Sequence, residues 1–206
     1  MVWDTATGKI KLADRQRDEA WVAGSFFNRG WINDKVIWFQ SEVSGYSHLY
    51  TVDVKTGIKK NLTSGNYEVQ EAQLSYDKKY FYFTSNEVHP GEKHFYRLPV
   101  TGGKAQQLTA LEGNNQVMLS PDEKTLAILY SYSNKPTELF LQENVPGKKA
   151  QQVTHLAQSP EFKSYPWKDP EVMTFKARDG AEVYARLYKP EHPHPNKPAV
   201  IFVHGA

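Results

Sequence analysis

The stretch VIWFQSEVSGYSHLYTVDVKTGIKKNLT, residues 36–63, decides the fold of this chain. It contains three strand-length runs, Val36–Ser41, His48–Val54 and Ile58–Thr63. Ser44-Gly45 and Lys55-Thr56-Gly57 separate these runs, and tight turns favour such residues. The stretch therefore predicts a meander of antiparallel strands.

The same order of parts returns twice further along the chain. Each unit has an aromatic strand, a second strand, a turn with glycine and a closing Leu-Thr or Val-Thr. The aromatic strands are predicted at Tyr80–Ser85 and Leu126–Ser131, the second strands at His94–Val100 and Glu138–Glu143, and the strand that enters the second unit at Val69–Leu74. The closing pairs are Leu62-Thr63, Leu108-Thr109 and Val153-Thr154, which recur about every 45 residues. That period, with four short strands in each unit, is typical of a β-propeller blade.

We therefore predict a mostly all-β chain with about three and a half four-stranded blades within residues 1–158. The predicted bounds are 21–65, 66–110 and 111–156, with the end of an earlier blade at 1–15. The earlier blade is inferred because Trp3–Lys11 repeats the pattern of Val52–Lys60. The innermost strand of the first complete blade is expected within Ser25–Ile32. Since the opening segment has outer strands without inner ones, we expect the sequence to be a fragment.

Residues 159–206 follow a different pattern. Ser159-Pro160, Pro166-Trp167 and Asp169-Pro170 predict a connector without regular structure. Two alternating runs, Glu171–Ala177 and Glu182–Lys189, flank Asp179-Gly180 and predict a hairpin. Ala199–Val203 is apolar throughout, which favours a strand buried on both faces, as in a mixed or parallel α/β sheet.

Composition limits the class of protein. Of 206 residues, 39% are hydrophobic and 23% are charged, which is ordinary for a folded domain. The net charge is +2 and the basic residues are scattered, so nucleic acid is not an expected partner. No apolar run approaches the roughly 20 residues that span a bilayer. Without cysteine there is no disulfide framework or thiolate metal site, and the compartment stays undetermined.

Three stretches carry a family resemblance: Ser41-Glu42-x-x-Gly45-Tyr46-x-His48-Leu49-Tyr50, Thr84-Ser85-Asn86-Glu87 and the final hairpin running into Val200–Gly205. Together they resemble the prolyl oligopeptidase family of serine peptidases. The blades look most like the dipeptidyl peptidase IV branch. The resemblance implies a propeller set over an α/β-hydrolase domain that begins at 159–206. It also implies a peptide substrate and acyl transfer by a Ser-His-Asp triad in the intact protein, here called the parent. Homo-oligomers of the parent are a further implication of the resemblance.

The resemblance further implies an oxyanion donor in the loop after the last strand. This makes His204, Gly205 and Ala206 the candidate oxyanion loop. In the dipeptidyl peptidase IV branch the donor is a tyrosine, whereas here the ring N–H of His204 or a backbone N–H of Gly205 or Ala206 is available. No Gly-x-Ser-x-Gly motif or adjacent glutamate pair occurs. The parent is therefore expected to be a serine peptidase, and this fragment to be inactive.

Other polar residues favour structural roles. Ser47 lies in a Gly-x-Ser-x-Leu sequence within a hairpin, which is not the context of a nucleophile. Glu42 is expected to cap a turn and His48 to bond across the hairpin. The remaining histidines lack further ligands and predict neither a metal site nor a cofactor: His89, His94, His192 and His194.

Two alternatives stay open at this stage. A propeller that only binds peptides or proteins explains the repeats equally well, but it gives no reason for the unit at 171–206. An acylaminoacyl peptidase or esterase of the same fold is favoured by the His-Gly ending. In either case, open sheet edges predict self-association.

Overall fold

The computed structural model describes residues 1–20, 22 and 28–203 of the chain. Contacts divide the chain into two compact units, Met1–Ala157 and Gln158–Ala206. The described elements of the first unit are all strands, whereas the second unit holds one short helix and a hairpin.

The first unit opens with a two-stranded ribbon, here named the N-terminal ribbon. It consists of β1 (Val2–Trp3) and β2 (Ile10–Lys11), which pair antiparallel. Asp4 closes the turn between them, because its carboxylate accepts hydrogen bonds from the N–H groups of Ala6 and Thr7 at 3.0 and 3.1 Å. The same type of turn recurs where Asp53 accepts from the N–H groups of Lys55 and Thr56. The ribbon therefore repeats the outer part of a sheet.

Three four-stranded antiparallel sheets follow, each with its strands in chain order. Sheet 1 contains β3 (Arg29–Trp31), β4 (Val36–Ser41), β5 (His48–Asp53) and β6 (Lys59–Asn61). Sheet 2 contains β7 (Val69–Leu74), β8 (Tyr80–Ser85), β9 (His94–Pro99) and β10 (Gln106–Gln107). Sheet 3 contains β11 (Asn114–Leu119), β12 (Thr125–Tyr132), β13 (Lys135–Glu143) and β14 (Gln151–Gln152). Successive sheets of this kind form a partial β-propeller, as the repeat predicts.

The sequence located the strands well. β4, β7 and β8 have the predicted bounds, and β3 lies within the predicted span 25–32. β13 is longer than predicted and begins at Lys135, because Tyr132 still pairs with that residue beyond an irregularity in the ladder. Trp21 and residues 23–27, at the start of the first predicted blade, lie outside the described residues.

The core lies between the sheets. Each sheet has a front face, which points to the next sheet along the chain, and a rear face, which points to the preceding one. Trp38, Leu49 and Leu62 on the front face of sheet 1 pack against the rear face of sheet 2. The rings of Trp38 and Phe81 meet edge to face, with their centroids 5.4 Å apart.

The front face of sheet 2 meets the rear face of sheet 3 in the same way. The buried members of this second cluster are Tyr82, Phe95, Leu108, Leu126, Ile128 and Tyr130. Alternation along β12 places Leu126, Ile128 and Tyr130 together on one face of the strand.

Hydrogen bonds reinforce both contacts between sheets. The Gln40 side-chain amide of sheet 1 donates to the Val69 carbonyl of sheet 2 at 2.7 Å. The Gln142 side-chain amide of sheet 3 donates to the Leu108 carbonyl at 2.7 Å. Each contact between sheets therefore combines an apolar interface with amide groups that satisfy a buried carbonyl.

The tight turn that precedes the second strand of sheets 2 and 3 is the same in both. Asp122 accepts from the Ser120 hydroxyl at 2.6 Å and from the Lys124 N–H at 3.1 Å. Asp77 accepts from Ser75 and Lys79 in the equivalent turn. The hydrogen bond from Ser120, followed by that from Lys124, lowers the pKa of Asp122 below its ordinary value.

The second unit begins with a helix that the sequence did not predict. α1 (Pro160–Ser164) forms where a connector without regular structure was expected, so that prediction is wrong. The Ser159 hydroxyl caps the helix by accepting from the Phe162 N–H, and Pro160 has the φ that a first helical position needs. Trp167 stacks on Phe162 and donates its indole N–H to the Phe162 carbonyl at 2.7 Å.

The predicted hairpin is present in the second unit. β15 (Glu171–Lys176) pairs antiparallel with β16 (Glu182–Leu187), with Glu171 opposite Leu187. Gly180 in the turn has a left-handed φ of 87°, and Asp179 accepts from the Ala181 N–H at 3.0 Å. Asp-Gly is therefore the turn that this hairpin needs.

The predicted buried strand Ala199–Val203 does not form. These residues are irregular, and Val200 and Val203 are 98% and 83% exposed. A strand needs a neighbour for its N–H and C=O groups, and the described strands β15 and β16 pair only with each other. An apolar run alone was insufficient evidence for a buried strand.

Replacing Asp122 by Asn should lower the melting temperature at pH 7 but have little effect near pH 2. The pKa of Asp122 in the folded chain lies below the unfolded value of about 3.9. Its stabilising contribution is therefore complete above that value and is lost as the pH falls through the folded pKa.

Thermal melts of both proteins at the two pH values measure this effect. Ser120→Ala is the matched variant, since it removes the largest cause of the shift and should reproduce part of the loss. An equal difference in melting temperature at pH 7 and pH 2 would contradict the assignment.

Candidate functional site

The candidate oxyanion loop, His204, Gly205 and Ala206, lies outside the described residues. Its role therefore stays a prediction from the resemblance. Among the residues that the structure describes, polar groups of the three sheets form three equivalent clusters.

Each cluster centres on a closing threonine, and we name it a threonine clamp. The hydroxyl oxygen of the threonine accepts a hydrogen bond from a backbone N–H of the third strand of its own sheet. The donors are Leu49 to Thr63 at 3.0 Å, Phe95 to Thr109 at 2.9 Å and Leu139 to Thr154 at 2.9 Å. The clamp fastens the chain after the outer strand to the sheet in all three repeats.

In the first clamp, His48 bonds through both ring nitrogens. Nε2 lies 2.9 Å from the Gly65 carbonyl, and Nδ1 lies 3.0 Å from the Thr63 hydroxyl. Since a carbonyl only accepts, Nε2 carries the proton and Nδ1 accepts from Thr63. His48 was expected to bond across its hairpin, but it reaches the segment after the outer strand instead.

In the second clamp, both ring nitrogens of His94 face oxygen acceptors. Nδ1 lies 3.1 Å from the Thr109 carbonyl, and Nε2 lies 2.9 Å from the Glu92 carboxylate. A ring N–H at either nitrogen therefore has an oxygen acceptor within the fold.

In the third clamp, Glu138 occupies the position of the two histidines. The Thr154 hydroxyl donates to one carboxylate oxygen, and the Ala157 N–H donates to the other at 2.7 Å. A carboxylate suits this position because it accepts from the Ala157 N–H. In sheet 1 the partner at the equivalent position is the Gly65 carbonyl, which needs the N–H of a histidine ring.

The three clamps are structural. The ring nitrogens of His48 and His94 are committed to hydrogen bonds, and both side chains are buried. A general base needs a nitrogen within reach of the proton that it removes from a substrate. Neither histidine offers one to a ligand.

Ser47 is also committed to the fold. Its hydroxyl donates to the Val69 carbonyl at 3.0 Å, and its N–H donates to the Glu68 carboxylate at 2.7 Å. These bonds join sheet 1 to sheet 2. The Ser47 hydroxyl therefore has the environment of a packing contact and not that of an activated nucleophile.

The other histidines that the structure describes do not gather into a metal site. His89 accepts from the Gly91 N–H, and His194, in an exposed loop with His192, accepts from the Asn196 N–H. Within residues 1–20, 22 and 28–203, no group of three metal-ligating side chains is close enough to hold an ion. The same residues contain no helix with the length and apolarity of a membrane span.

An open groove lies beside Tyr96, where the outer edge of sheet 2 approaches Pro146. Glu87 and Lys104 supply opposite charges along it. Burial, and then the nearby Glu87 carboxylate, raises the pKa of Tyr96. The phenol therefore stays protonated. Tyr96 lines the groove as a neutral side chain and is not a nucleophile.

The sequence marked the clamps without explaining them. In the sequence the Leu-Thr and Val-Thr pairs indicate only the period of the repeat. In the structure the hydroxyl of each threonine accepts the hydrogen bond that fastens the chain to its sheet. The signal that was available is a polar residue 15 or 16 positions before each threonine: His48, His94 and Glu138.

Replacing Thr109 by Val should destabilise the chain by about 1–3 kcal/mol. Valine has nearly the same shape, but it leaves the buried Phe95 N–H without an acceptor. Denaturant unfolding followed by tryptophan fluorescence measures the loss.

Thr109→Ser keeps the hydroxyl and should cost less than Thr109→Val. Thr101→Val changes an exposed threonine in a turn and is the control, with an expected effect within about 0.5 kcal/mol. The clamp would be refuted if the Val and Ser variants at position 109 unfolded at the same denaturant concentration.

Comparison with known families is consistent with a propeller fold for the first unit. The family described as the dipeptidyl peptidase IV (DPP IV) N-terminal region matches residues 1–137. The match begins in the N-terminal ribbon, runs through sheets 1 and 2 and ends within β13 of sheet 3. The chain therefore belongs to the family of the dipeptidyl peptidase IV N-terminal region, whose fold is a β-propeller.

Proposed function

We propose that this chain is the propeller part, with the start of the hydrolase domain, of a serine peptidase that cleaves short peptides. The observation that carries the proposal is the family match over residues 1–137. In this proposal residues 1–158 belong to the propeller and residues 159–206 open an α/β-hydrolase domain. The propeller restricts access, so that short or unfolded peptides reach the catalytic groups.

The proposed chemistry is acyl transfer through a covalent acyl-enzyme. A serine attacks the peptide carbonyl, a histidine takes the serine proton and later returns it to the leaving amine, and an aspartate orients the histidine. The negative charge that develops on the carbonyl oxygen needs nearby N–H donors. His204 through its ring, or Gly205 and Ala206 through the backbone, would supply such a donor.

The chain itself contributes no nucleophile to this scheme. Gly-x-Ser-x-Gly is absent from the 206 residues, and the Ser47 hydroxyl donates to a backbone carbonyl. We therefore propose that the propeller selects the substrate. Other residues of the parent carry the catalytic groups.

A binding scaffold is the second candidate. It is favoured by the commitment of His48, His94 and Ser47 to hydrogen bonds within the fold, which leaves these groups to structural roles. In that case the propeller binds peptides or proteins without cleaving them. An acylaminoacyl peptidase or esterase differs from the first proposal only in its substrate.

The purified chain should show no turnover of proline-containing dipeptidyl chromogenic substrates above a blank. It should also stay unlabelled by a fluorophosphonate probe, because such probes need an activated serine. A commercial serine peptidase is the positive control for both assays. Turnover that the probe abolishes would show that the chain is catalytic by itself.

The coding sequence beyond codon 206 separates the peptidase from the scaffold. We expect it to encode Gly-x-Ser-x-Gly followed by an aspartate and then a histidine, which is the chain order of this fold. A stop codon directly after Ala206 would overturn the peptidase proposal and favour the scaffold.

A further inference from the structure

The chain order of the strands places the connections of each sheet at two opposite ends. The turn between the first and second strands and the turn between the third and fourth strands lie at one end, here named the turn end. The connection between the second and third strands and the connection to the next sheet lie at the other, here named the loop end. The turn end of the three sheets consists of residues 32–35, 54–58, 75–79, 100–105, 120–124 and 144–150.

Hydrogen bonds hold these six turns together as one surface. Within each sheet, a backbone N–H of the second turn donates to the carbonyl of the lysine that ends the first turn. The pairs are Val54 with Lys35, Val100 with Lys79 and Asn144 with Lys124, at 2.8, 2.9 and 2.8 Å. Between sheets, the Lys60 ammonium group donates to the Thr101 carbonyl, and the Tyr76 N–H donates to the Glu123 carboxylate at 2.8 Å.

The turn end carries a surplus of positive charge. Each of the six turns contains lysine, and all eight of these lysines are exposed: Lys35, Lys55, Lys78, Lys79, Lys104, Lys124, Lys148 and Lys149. The same turns contain four acidic residues, which leaves four positive charges in excess. Two of the acidic residues, Asp77 and Asp122, accept hydrogen bonds within their own turns. The lysines that look scattered in the sequence are therefore gathered by the fold.

The loop end carries the opposite charge. Its connections, residues 42–47, 62–68, 86–93, 108–113 and 133–134, contain five glutamates and one lysine. Because the two charges lie at opposite ends of the sheets, an anionic partner is attracted to the turn end and repelled by the loop end.

Large apolar side chains project among the lysines of the turn end. Tyr76 is 91% exposed and is followed in its turn by Lys78 and Lys79. Ile58 is 70% exposed and lies between Lys55 and Lys59 in the sequence. A partner that offers only charge gives these two side chains nothing to pack against, whereas a partner with apolar groups behind its charges removes them from water.

We propose that the turn end binds the surface of a membrane that contains anionic lipids. The lysines contact the anionic head groups, while Ile58 and Tyr76 enter the boundary between head groups and acyl chains. The contact is peripheral, on one side of the bilayer. It does not depend on the proposed peptidase chemistry.

A nucleic acid matches this surface less well. The six turns contain no arginine, the residue that binds phosphates and guanine edges through two N–H groups at once. The Ile58 side chain would face a phosphate backbone with no apolar partner. Lysine, as a mobile point charge, suits the mobile head groups of a lipid surface.

Co-sedimentation with vesicles tests the proposal. The chain should bind vesicles of phosphatidylcholine that contain about 30% phosphatidylserine, and it should not bind vesicles of phosphatidylcholine alone. Added salt should weaken the binding, because it screens the attraction between exposed charges.

A triple variant locates the surface. Lys55→Gln, Lys104→Gln and Lys149→Gln together remove one lysine from each sheet and should weaken vesicle binding at least tenfold, since each lysine near an anionic surface strengthens binding about fivefold. The matched control is Lys93→Gln, Lys163→Gln and Lys176→Gln, which removes the same charge from exposed positions outside the turn end and should change the binding less than threefold. Circular dichroism melts establish that both variants are folded.

A fluorescent label reports the insertion directly. Since the chain has no cysteine, Ile58→Cys can be labelled at one position with a fluorophore that responds to polarity. Its emission should shift to the blue when anionic vesicles are added. Val43→Cys, at an 80% exposed valine of the loop end, is the control and should show no shift.

Three outcomes would overturn the proposal. Absence of binding at about 1 mM anionic lipid would show that the turn end has no useful affinity for a membrane. An equal loss of binding in the two triple variants would show that the overall charge, and not the turn end, determines the interaction. Binding to duplex DNA without binding to anionic vesicles would assign the surface to nucleic acid.

Discussion

The four-stranded sheets of this chain are held together by the apolar faces that pack between them. Sheet 2 shows the constraint in full, because Phe81 and Phe83 pack on sheet 1 while Tyr82 and Phe95 pack on sheet 3. Its second and third strands are buried almost throughout. A sheet with aromatic residues on both faces has no face suited to water, so it is stable only as one layer in a series. The sequence repeats about every 45 residues because each unit forms one such layer.

Layers that are packed by apolar contact alone could slide, and polar groups fix their position. The threonine clamp holds the end of each outer strand to its own sheet, as between Thr63 and Leu49. Between sheets, the amides of Gln40 and Gln142 each donate to one defined carbonyl. A buried carbonyl without a donor costs free energy, so each such bond favours one register over its alternatives. Apolar packing therefore supplies most of the attraction, and the buried polar contacts supply the alignment.

Local signals predicted the sheets, whereas long-range contacts escaped prediction. Alternation and turn chemistry located β4, β7 and β8, because both act within a few residues. The partners of Gln40 and Gln142 lie 29 and 34 residues away, which no local pattern encodes. The prediction of a buried strand at Ala199–Val203 was wrong for a related reason, because burial depends on neighbouring strands and not on the apolar run itself. Of the candidate site, the sequence indicated only the loop at 204–206, which is outside the described residues.

The polar groups of the sheets also decide where chemistry can occur. His48, His94 and Ser47 carry the groups that hydrolases use, but each is bound to a neighbouring part of the fold. Freeing any of them for a substrate would leave its present partner buried and unsatisfied. A chain that uses these groups to hold its sheets together cannot also use them to move protons in a reaction. The described sheets therefore commit His48, His94 and Ser47 to holding the fold together.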